Sequence, residues 1–232
     1  MTSKLQDART IVGRIPTTEV LIGLSGGKDS LAVLDLCAHS GRFSRLACYY
    51  LYLVDGIECI ESHVRLVAKR YDAELHKVPH PDLVTMLKHG AYGPQVRRAE
   101  EGREWRHTDA ENAARARAGI EWVATGHKAC DSLDRRAMLS TFPDGVNTKA
   151  HRAYPVRAWS QADVWAYVNQ KKIPTPVRFP LGKSGRMSGF NLKPDTLVFL
   201  REHYPEDYRR VVDVFPFVEA AIFRHEKLGV AS

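Results

Sequence analysis

The sequence has no apolar run long enough to span a bilayer, so a membrane-embedded chain is not expected. Its opening residues, MTSKLQDARTIVGR, lack the apolar core of an export signal, and the expected location is cytoplasmic. Cysteine is scarce. The four present, Cys37, Cys48, Cys59 and Cys130, form no C-x-x-C pair, which argues against a zinc site and a disulfide framework. Cys37 and Cys48 sit in apolar runs and read as core residues. Two common phosphate fingerprints are missing. A Walker loop needs glycine where Ile22 or Val177 stands, ahead of Gly27-Lys28 or Gly182-Lys183; a dinucleotide fingerprint needs glycine in place of Ser25. There are no internal repeats. Finally, the stretch from Lys171 to Lys193 contains no acid.

What is present suits a globular enzyme-sized chain. Its 232 residues can hold one large α/β domain and an appendage. Hydrophobic residues make up 44% and charged residues 26%, both ordinary for a globular protein. The net charge of +7 points to an anionic partner, which a nucleotide alone would satisfy. Six bases (Lys171, Lys172, Arg178, Lys183, Arg186 and Lys193) concentrate this charge in the acid-free stretch.

The chain is organised around Thr18 to Ala38, TEVLIGLSGGKDSLAVLDLCA. Val20 to Leu24 is a short, branched apolar run that predicts a buried strand. Ser25-Gly26-Gly27-Lys28-Asp29-Ser30 follows, and then Leu31, Leu34 and Ala38 fall at helical spacing. A helix starting directly after a strand points unpaired N–H groups and its positive dipole end back at the strand tip. Glycines allow an anion close to the backbone, and Lys28 adds a full charge, so the turn suits phosphate or pyrophosphate. Ser25 and Ser30 can donate hydrogen bonds or cap the helix. Asp29 does not suit bare phosphate, and reads as a metal ligand or a cap.

Further along, strands are expected at Arg45–Val54, Glu74–Val78, Glu121–Thr125 and His151–Val156, the last as an edge strand. A short helix or arm is expected over residues 1–16, and helices over Lys28–His39, Cys59–Tyr71, Pro81–His89, Gln95–Ala118, Asp131–Ser140 and Ser160–Gln170. Thr141–Ala150 reads as a turn-rich loop and Ile173–Lys193 as a basic loop. From Pro194 the chain reads as helical, with Val198, Phe199, Val211, Val212, Val214, Phe217, Ile222 and Phe223 as packing residues. The fold class is therefore α/β: a Rossmann-like, parallel five-stranded sheet with helices on both faces, plus a basic loop and a helical C-terminal extension. The expected domains are 1–170 and 171–232. Ligands of such sheets bind at the carboxyl ends of the strands, where strand order reverses. Asp55, after the second strand, should then reach the ribose, a metal or its own loop. Gly126, after the fourth, should allow close backbone approach. Asp131 can hold Mg²⁺, and Arg135 or Arg136 can clamp a phosphate or sulfate.

The S-G-G-K-D-S turn after a strand resembles the signature loop of the PP-loop ATP pyrophosphatases, the adenine nucleotide alpha hydrolases. All six positions match. Thr125-Gly126-His127 followed by Asp131 is similar to the tRNA thiolases and lysidine synthases, with Cys130 in place of the first of their paired aspartates. Arg135 is similar to an arginine of phosphoadenosine phosphosulfate reductases and the ATP sulfurylase small subunit. Pro155 and Trp159 to Tyr167 look like the P-W-x-x-x-D-V-W-x-Y segment of the reductase branch. Taken from the residues alone, Trp159 and Trp165 are core while Ser160 and Asp163 cap a helix. The resemblance spans Val20 to Tyr167. Two departures stand out: no cysteine follows Cys130, where the reductases carry an E-C-G-x-H cysteine, and the paired cysteines of the thiolases are missing.

The resemblance implies an ATP-dependent enzyme of the phosphosulfate reductase-like type that splits the α–β bond, releases pyrophosphate and adenylates or sulfur-modifies an acceptor. Lys28, Asp29, Asp131 and Arg135 are the expected catalytic residues. The expected nucleotide contacts are Ser25, Gly26, Gly27, Lys28, Asp29, Ser30, Asp55, Gly126, Arg136, Lys183 and Arg186, with Mg²⁺ on Asp29 or Asp131. Within the family, the alternative is binding of phosphoadenosine phosphosulfate by a reductase or sulfotransferase. From another class, the rival is a nucleotide-dependent protein without turnover that holds nucleic acid on the basic 171–193 loop. The sequence leaves the acceptor open, and likewise the oligomeric state, a homodimer included.

Overall fold

Helix α1 (Thr2–Gly13) opens the computed structural model, which describes residues 2–93, 104–180, 186–187 and 189–228. Strand β1 (Glu19–Gly23) and helix α2 (Lys28–Ala38) follow, then β2 (Arg45–Tyr52), α3 (Glu58–Arg70), β3 (Glu74–Pro79) and α4 (Pro81–Lys88). Next come α5 (His107–Ala118), β4 (Val123–Ala124), α6 (Leu133–Ser140), β5 (Val146–Asn147), β6 (Arg152–Ala153) and α7 (Gln161–Gln170). The chain closes with β7 (Phe179–Pro180), β8 (Arg186–Met187), α8 (Pro194–His203), α9 (Pro205–Val214) and α10 (Val218–Leu228). No described helix is long and apolar enough to cross a membrane.

One sheet has the order β3-β2-β1-β4-β6-β5. β1 pairs in parallel with β2 (Leu21 opposite Ala47) and with β4 (Leu21 opposite Val123), and β4 pairs in parallel with β6. Val20, Leu21 and Ile22 are wholly buried, as befits a central parallel strand covered on both faces. From β1 the chain steps outward to β2 and β3 on one side and then resumes at β4 on the other. The reversal of strand order thus falls between β1 and β4, and it brings the two following loops together.

The sheet has six strands where the sequence predicts five. The additional one, β5, lies in the stretch read as a loop and pairs antiparallel with β6. As a result Arg152–Ala153 is not the edge strand expected but lies between β4 and β5. A two-residue strand has no periodicity to read. A second short antiparallel pair, β7 with β8, lies in the segment expected to be a loop. Residues 94–103, the first part of the helix expected over Gln95–Ala118, lie outside the described residues, as does Lys183.

Two compact units make up the chain: residues 1–50, 64–77 and 112–175, and residues 51–63, 78–111 and 176–232. In the first, α2 is buried continuously from Ser30 to Cys37, including the carboxylate of Asp35. Asp35 accepts hydrogen bonds from the Tyr71 hydroxyl (2.9 Å) and the Tyr167 hydroxyl (2.6 Å), and the His39 ring stands 3.2 Å from it. Burial first, then the contact with Asp35, holds both tyrosines above the ordinary range for a phenol. Helix α7 begins with a capping box: Ser160 accepts from the Asp163 N–H, and Asp163 accepts from the Ser160 N–H at 2.7 Å. Lys4 adds an ion pair to Asp163 at 2.6 Å, and Trp159 is buried, as expected.

In the second unit, α8 packs on α9 and α10. Asp207 of α9 caps α3, its two oxygens accepting from the N–H groups of Glu58 and Cys59, each at 2.8 Å. Val211 and Ile222 are buried as expected, but Val214, Phe217 and Phe223 are exposed and Phe215 is buried instead. The chain breaks at Tyr204 and Phe215 into three helices. Each break resets the helical phase, so spacing counted across it assigns the wrong face.

Replacing Asp35 by alanine leaves two buried hydroxyls without an acceptor. The expected loss is about 2–4 kcal/mol in urea denaturation, at roughly 1–3 kcal/mol per unsatisfied group less partial relaxation. Tyr71→Phe combined with Tyr167→Phe should also destabilise, because the buried Asp35 carboxylate then loses both of its hydroxyl donors. A loss under about 0.5 kcal/mol for Asp35→Ala, the range of an ordinary surface change, would refute the hub.

Candidate functional site

The first functional segment is the turn between β1 and α2. Gly26 has φ +75°, a conformation that favours glycine. Gly27 is the N-cap of α2, and no side chain caps the helix there. The serines brace the turn: Ser30 Oγ donates to the Gly27 carbonyl (2.8 Å), and Ser25 Oγ accepts from the Gly27 N–H (3.3 Å) and lies 3.3 Å from Ser30 Oγ. Lys28 donates to Asp29 Oδ2 at 2.9 Å. The turn therefore keeps its shape through its own hydroxyls and leaves an uncapped, positively polarised helix start with Lys28 at its first position.

The second segment is the loop after β4. A Cβ on Gly126 would lie 3.0 Å from both the carbonyl carbon and the Cβ of Asp29. The close approach that Gly126 permits is thus to the start of α2. Lys128 then crosses beneath. Its side chain is 1% exposed, and its ammonium lies 2.8 Å from Asp29 Oδ1 and 2.9 Å from Asp131 Oδ1. Burial alone would lower the pKa of that ammonium; the two carboxylates more than offset this and hold it above its ordinary value. Asp131 Oδ2 accepts from the Lys128 N–H (3.2 Å), and Asp131 Oδ1 accepts from Gln161 Nε2 (3.2 Å).

Asp29 and Asp131, expected as Mg²⁺ ligands, are therefore brought together, but by an ammonium. Three of their four oxygens accept hydrogen bonds from protein donors; the fourth, Asp29 Oδ1, stands at ion-pair distance from Lys128 Nζ without hydrogen-bond geometry. Mg²⁺ needs carboxylate oxygen at about 2.0–2.1 Å, and here the Lys128 ammonium stands between the two acids. Among the described residues, no cluster of three or more His, Cys, Asp and Glu is placed to hold a metal.

Around this pair lie polar groups with unmet bonding capacity. Thr125 Oγ1, His127 Nδ1 and Arg135 Nη1 are buried with no hydrogen-bond partner among the described residues. Buried polar groups are nearly always paired, and exceptions gather where a ligand completes them. The His127 ring stacks on Tyr154 with centroids 5.9 Å apart. Burial, and then the positive charge of Arg135 and Arg152, pushes its pKa down to about 4 against the pull of Asp131. His127 is accordingly a neutral imidazole at neutral pH.

The other expected residues are less gathered. Arg135 and Arg136 lie in the first turns of α6, whose N-cap is Ser132, with Arg136 exposed. Cys130 is exposed, its thiol donating to the Trp159 carbonyl at 3.3 Å. Asp55 is exposed and belongs to the second unit. Arg186 is described only by its backbone, paired opposite Pro180, and Lys183 lies outside the described residues. Sequence reading missed the role of Lys128, and gave Thr125 and His127 as motif positions without a role. The signal available was a lysine three residues ahead of Asp131, on a loop whose partner is set only by strand order.

A parallel sheet with a glycine turn at its reversal point defines a Rossmann-like fold of the nucleotide-binding kind. The phosphoadenosine phosphosulfate reductase domain family matches residues 19–181, and the chain belongs to this family. Among solved structures, it is similar to the U34-tRNA thiolase NcsA from Methanococcus maripaludis, which carries a 4Fe-4S cluster. Identity is 14% and the TM-score 0.51, over 94% of this chain and 78% of that one. It is also similar to an FMN adenylyltransferase from Candida glabrata (13% identity, TM-score 0.51, 75% of this chain and 57% of that one). Phosphoadenylyl-sulfate reductase from Candida auris matches at 16% identity and TM-score 0.44, over 72% of this chain and 81% of that one. At such identities the likeness to the thiolase and the adenylyltransferase is one of fold alone. No curated protein matches the sequence.

The His127 environment predicts a pH dependence. The unfolded chain takes up this proton near 6.5 and the folded chain near about 4. Between those values the unfolded state binds more protons, so stability is complete above 6.5 and falls as pH drops toward 4. The contribution is at most about 3 kcal/mol, at about 1.36 kcal/mol per pKa unit. His127→Gln should flatten that limb of the stability profile, and the imidazole should titrate near about 4 by NMR. A midpoint at the ordinary histidine value would contradict the buried, cation-flanked setting.

Proposed function

We propose that this chain is an ATP-dependent PP-loop enzyme that cleaves the α–β bond of the nucleotide and transfers the adenylyl group to an acceptor. The observation that carries this reading is the S-G-G-K-D-S turn itself. It sits at the reversal point of a parallel sheet, opens an uncapped helix and presents Lys28 at the first helical position. In this reading the β,γ-phosphates lie against the turn, with the Gly27–Ser30 backbone and Lys28 opposite their charge. An acceptor oxygen forms a bond to the α-phosphorus as the bond from that phosphorus to the bridging oxygen breaks. Pyrophosphate leaves with the electron pair, and the acceptor's proton passes to solvent or a neighbouring base. Nothing is oxidised or reduced. Catalysis consists of alignment and stabilisation of charge on the departing pyrophosphate.

Arg135 at the start of α6, with Thr125 and the neutral His127 on the loop after β4, supplies polar groups to the site, and we assign them to the α-phosphate or the acceptor. Phosphoadenosine phosphosulfate is the competing nucleotide, since the family is named for its reduction. The missing cysteine beyond Cys130 weighs against thiol-dependent reduction of it. The acceptor is thus the open part of the reaction, and adenylation is the step common to its versions.

Lys28→Ala should lower pyrophosphate release from ATP by about 100-fold or more, the size of effect seen when one charge-stabilising donor is removed. Ser30→Ala should lower it less, through the loosened turn. Pyrophosphate release is measured with wild type and variant side by side across candidate acceptors. Equal release from both would defeat the reading, whereas binding of phosphoadenosine phosphosulfate with no pyrophosphate from ATP would favour the sulfonucleotide reaction.

A further inference from the structure

The four charged groups at the junction form a closed set. Lys28 pairs with one oxygen of Asp29; Lys128 pairs with the other and with Asp131. Two positive and two negative charges cancel. The Lys128 ammonium is shielded from water by the fold, whereas Asp29 and Asp131 keep side-chain exposures of 28% and 30%. The buried member is thus the cation, with carboxylates arranged around it. That is the reverse of a surface salt bridge, in which a long lysine reaches out to a fixed acid.

We propose that Lys128 is the resident cation of this site. Its ammonium takes the place between Asp29 and Asp131 that a divalent ion would occupy, and it ties the loop after β4 to the start of α2 without a protein-bound metal.

Three observations carry this. First, the two facing oxygens stand 2.8 and 2.9 Å from one nitrogen. That is ion-pair spacing, and it puts the ammonium in the space between the two acids. Second, the remaining oxygen of each acid is engaged by another protein donor, Lys28 Nζ for Asp29 and the Lys128 N–H for Asp131. Third, a divalent ion added here would face a buried like charge at contact distance. The consequence for ligand binding rests on the nucleotide reading of the turn: any Mg²⁺ in the complex would arrive on the phosphates and be held by them. Lys128 is on this account a positioning residue. It acts through Asp29, which in turn fixes Lys28.

Mn²⁺ uptake by the nucleotide-free protein, read by electron paramagnetic resonance, tests the assignment without reference to turnover. Wild type should show the same uptake as Asp131→Asn, because neither acid is available. Lys128→Met bares the two carboxylates and should gain Mn²⁺ affinity by roughly tenfold or more. Lys128→Arg keeps the cation and should not gain. Wild-type uptake that is lost in Asp131→Asn would overturn the proposal, and so would a folded Lys128→Met with no gain. If Lys128→Met fails to fold by circular dichroism, the comparison of wild type with Asp131→Asn decides. Failure of the nucleotide reading would appear separately, as equal pyrophosphate release from wild type and Lys28→Ala.

Discussion

A buried ammonium between two carboxylates holds the candidate site together. Lys128 belongs to the loop after β4, Asp29 to the first turn of α2, and Asp131 to the approach to α6. Two segments distant in sequence are thereby fixed to one point. Breaking such a set by removing one partner is harmful, because the others are left charged and partly desolvated. The contact also explains why Gly126 stands where it does: any side chain there would press on Asp29 and push the loop, with Lys128, away from α2.

The sheet supplies the conditions for that contact. Adjacent parallel strands β1 and β4 end side by side, so their loops must meet. Helix α2 is anchored by Asp35 and its two tyrosines, seven residues from Lys28 along a helix buried from Ser30 to Cys37. A helix held this firmly presents its N-terminus at a fixed point. This is the requirement for a turn whose proposed work is alignment. A second carboxylate, Asp207, does the analogous work in the second unit by capping α3.

Much of this was legible in the sequence, and the boundary is physical. The turn Ser25–Ser30, the strand before it and the helix after it could be read because each is a local pattern: an apolar run, glycines, then helical spacing. The capping box at Ser160 and Asp163 was readable for the same reason. The family followed from the same residues. By contrast, β5 is two residues long and exists only through its pairing with β6. The packing face of the C-terminal helices was misread at Phe217 and Phe223 because breaks at Tyr204 and Phe215 reset the phase. Lys128, Asp35 and Asp207 are charged, and charge ordinarily signals surface. Their burial depends on partners as far away as Asp29 for Lys128, Tyr167 for Asp35 and Glu58 for Asp207. No window of local sequence contains both members of any of these pairs.

The reading of Asp29 and Asp131 as metal ligands shows how this limit reaches function. From sequence, Asp29 or Asp131 could hold Mg²⁺, and Asp29 could instead cap its helix. The same two with a lysine between them are a neutral cluster. The difference lies in one side chain's direction, that of Lys128, two residues after Gly126. Neutrality has a further effect. With Asp29 and Asp131 balanced by Lys28 and Lys128, the acids add little repulsion toward an incoming polyphosphate, and the helix dipole of α2 and the bases of α6 decide the field there. A cluster that cancels itself therefore leaves the turn attractive to an anion while keeping Lys28 in register. A bare acidic pair would do neither.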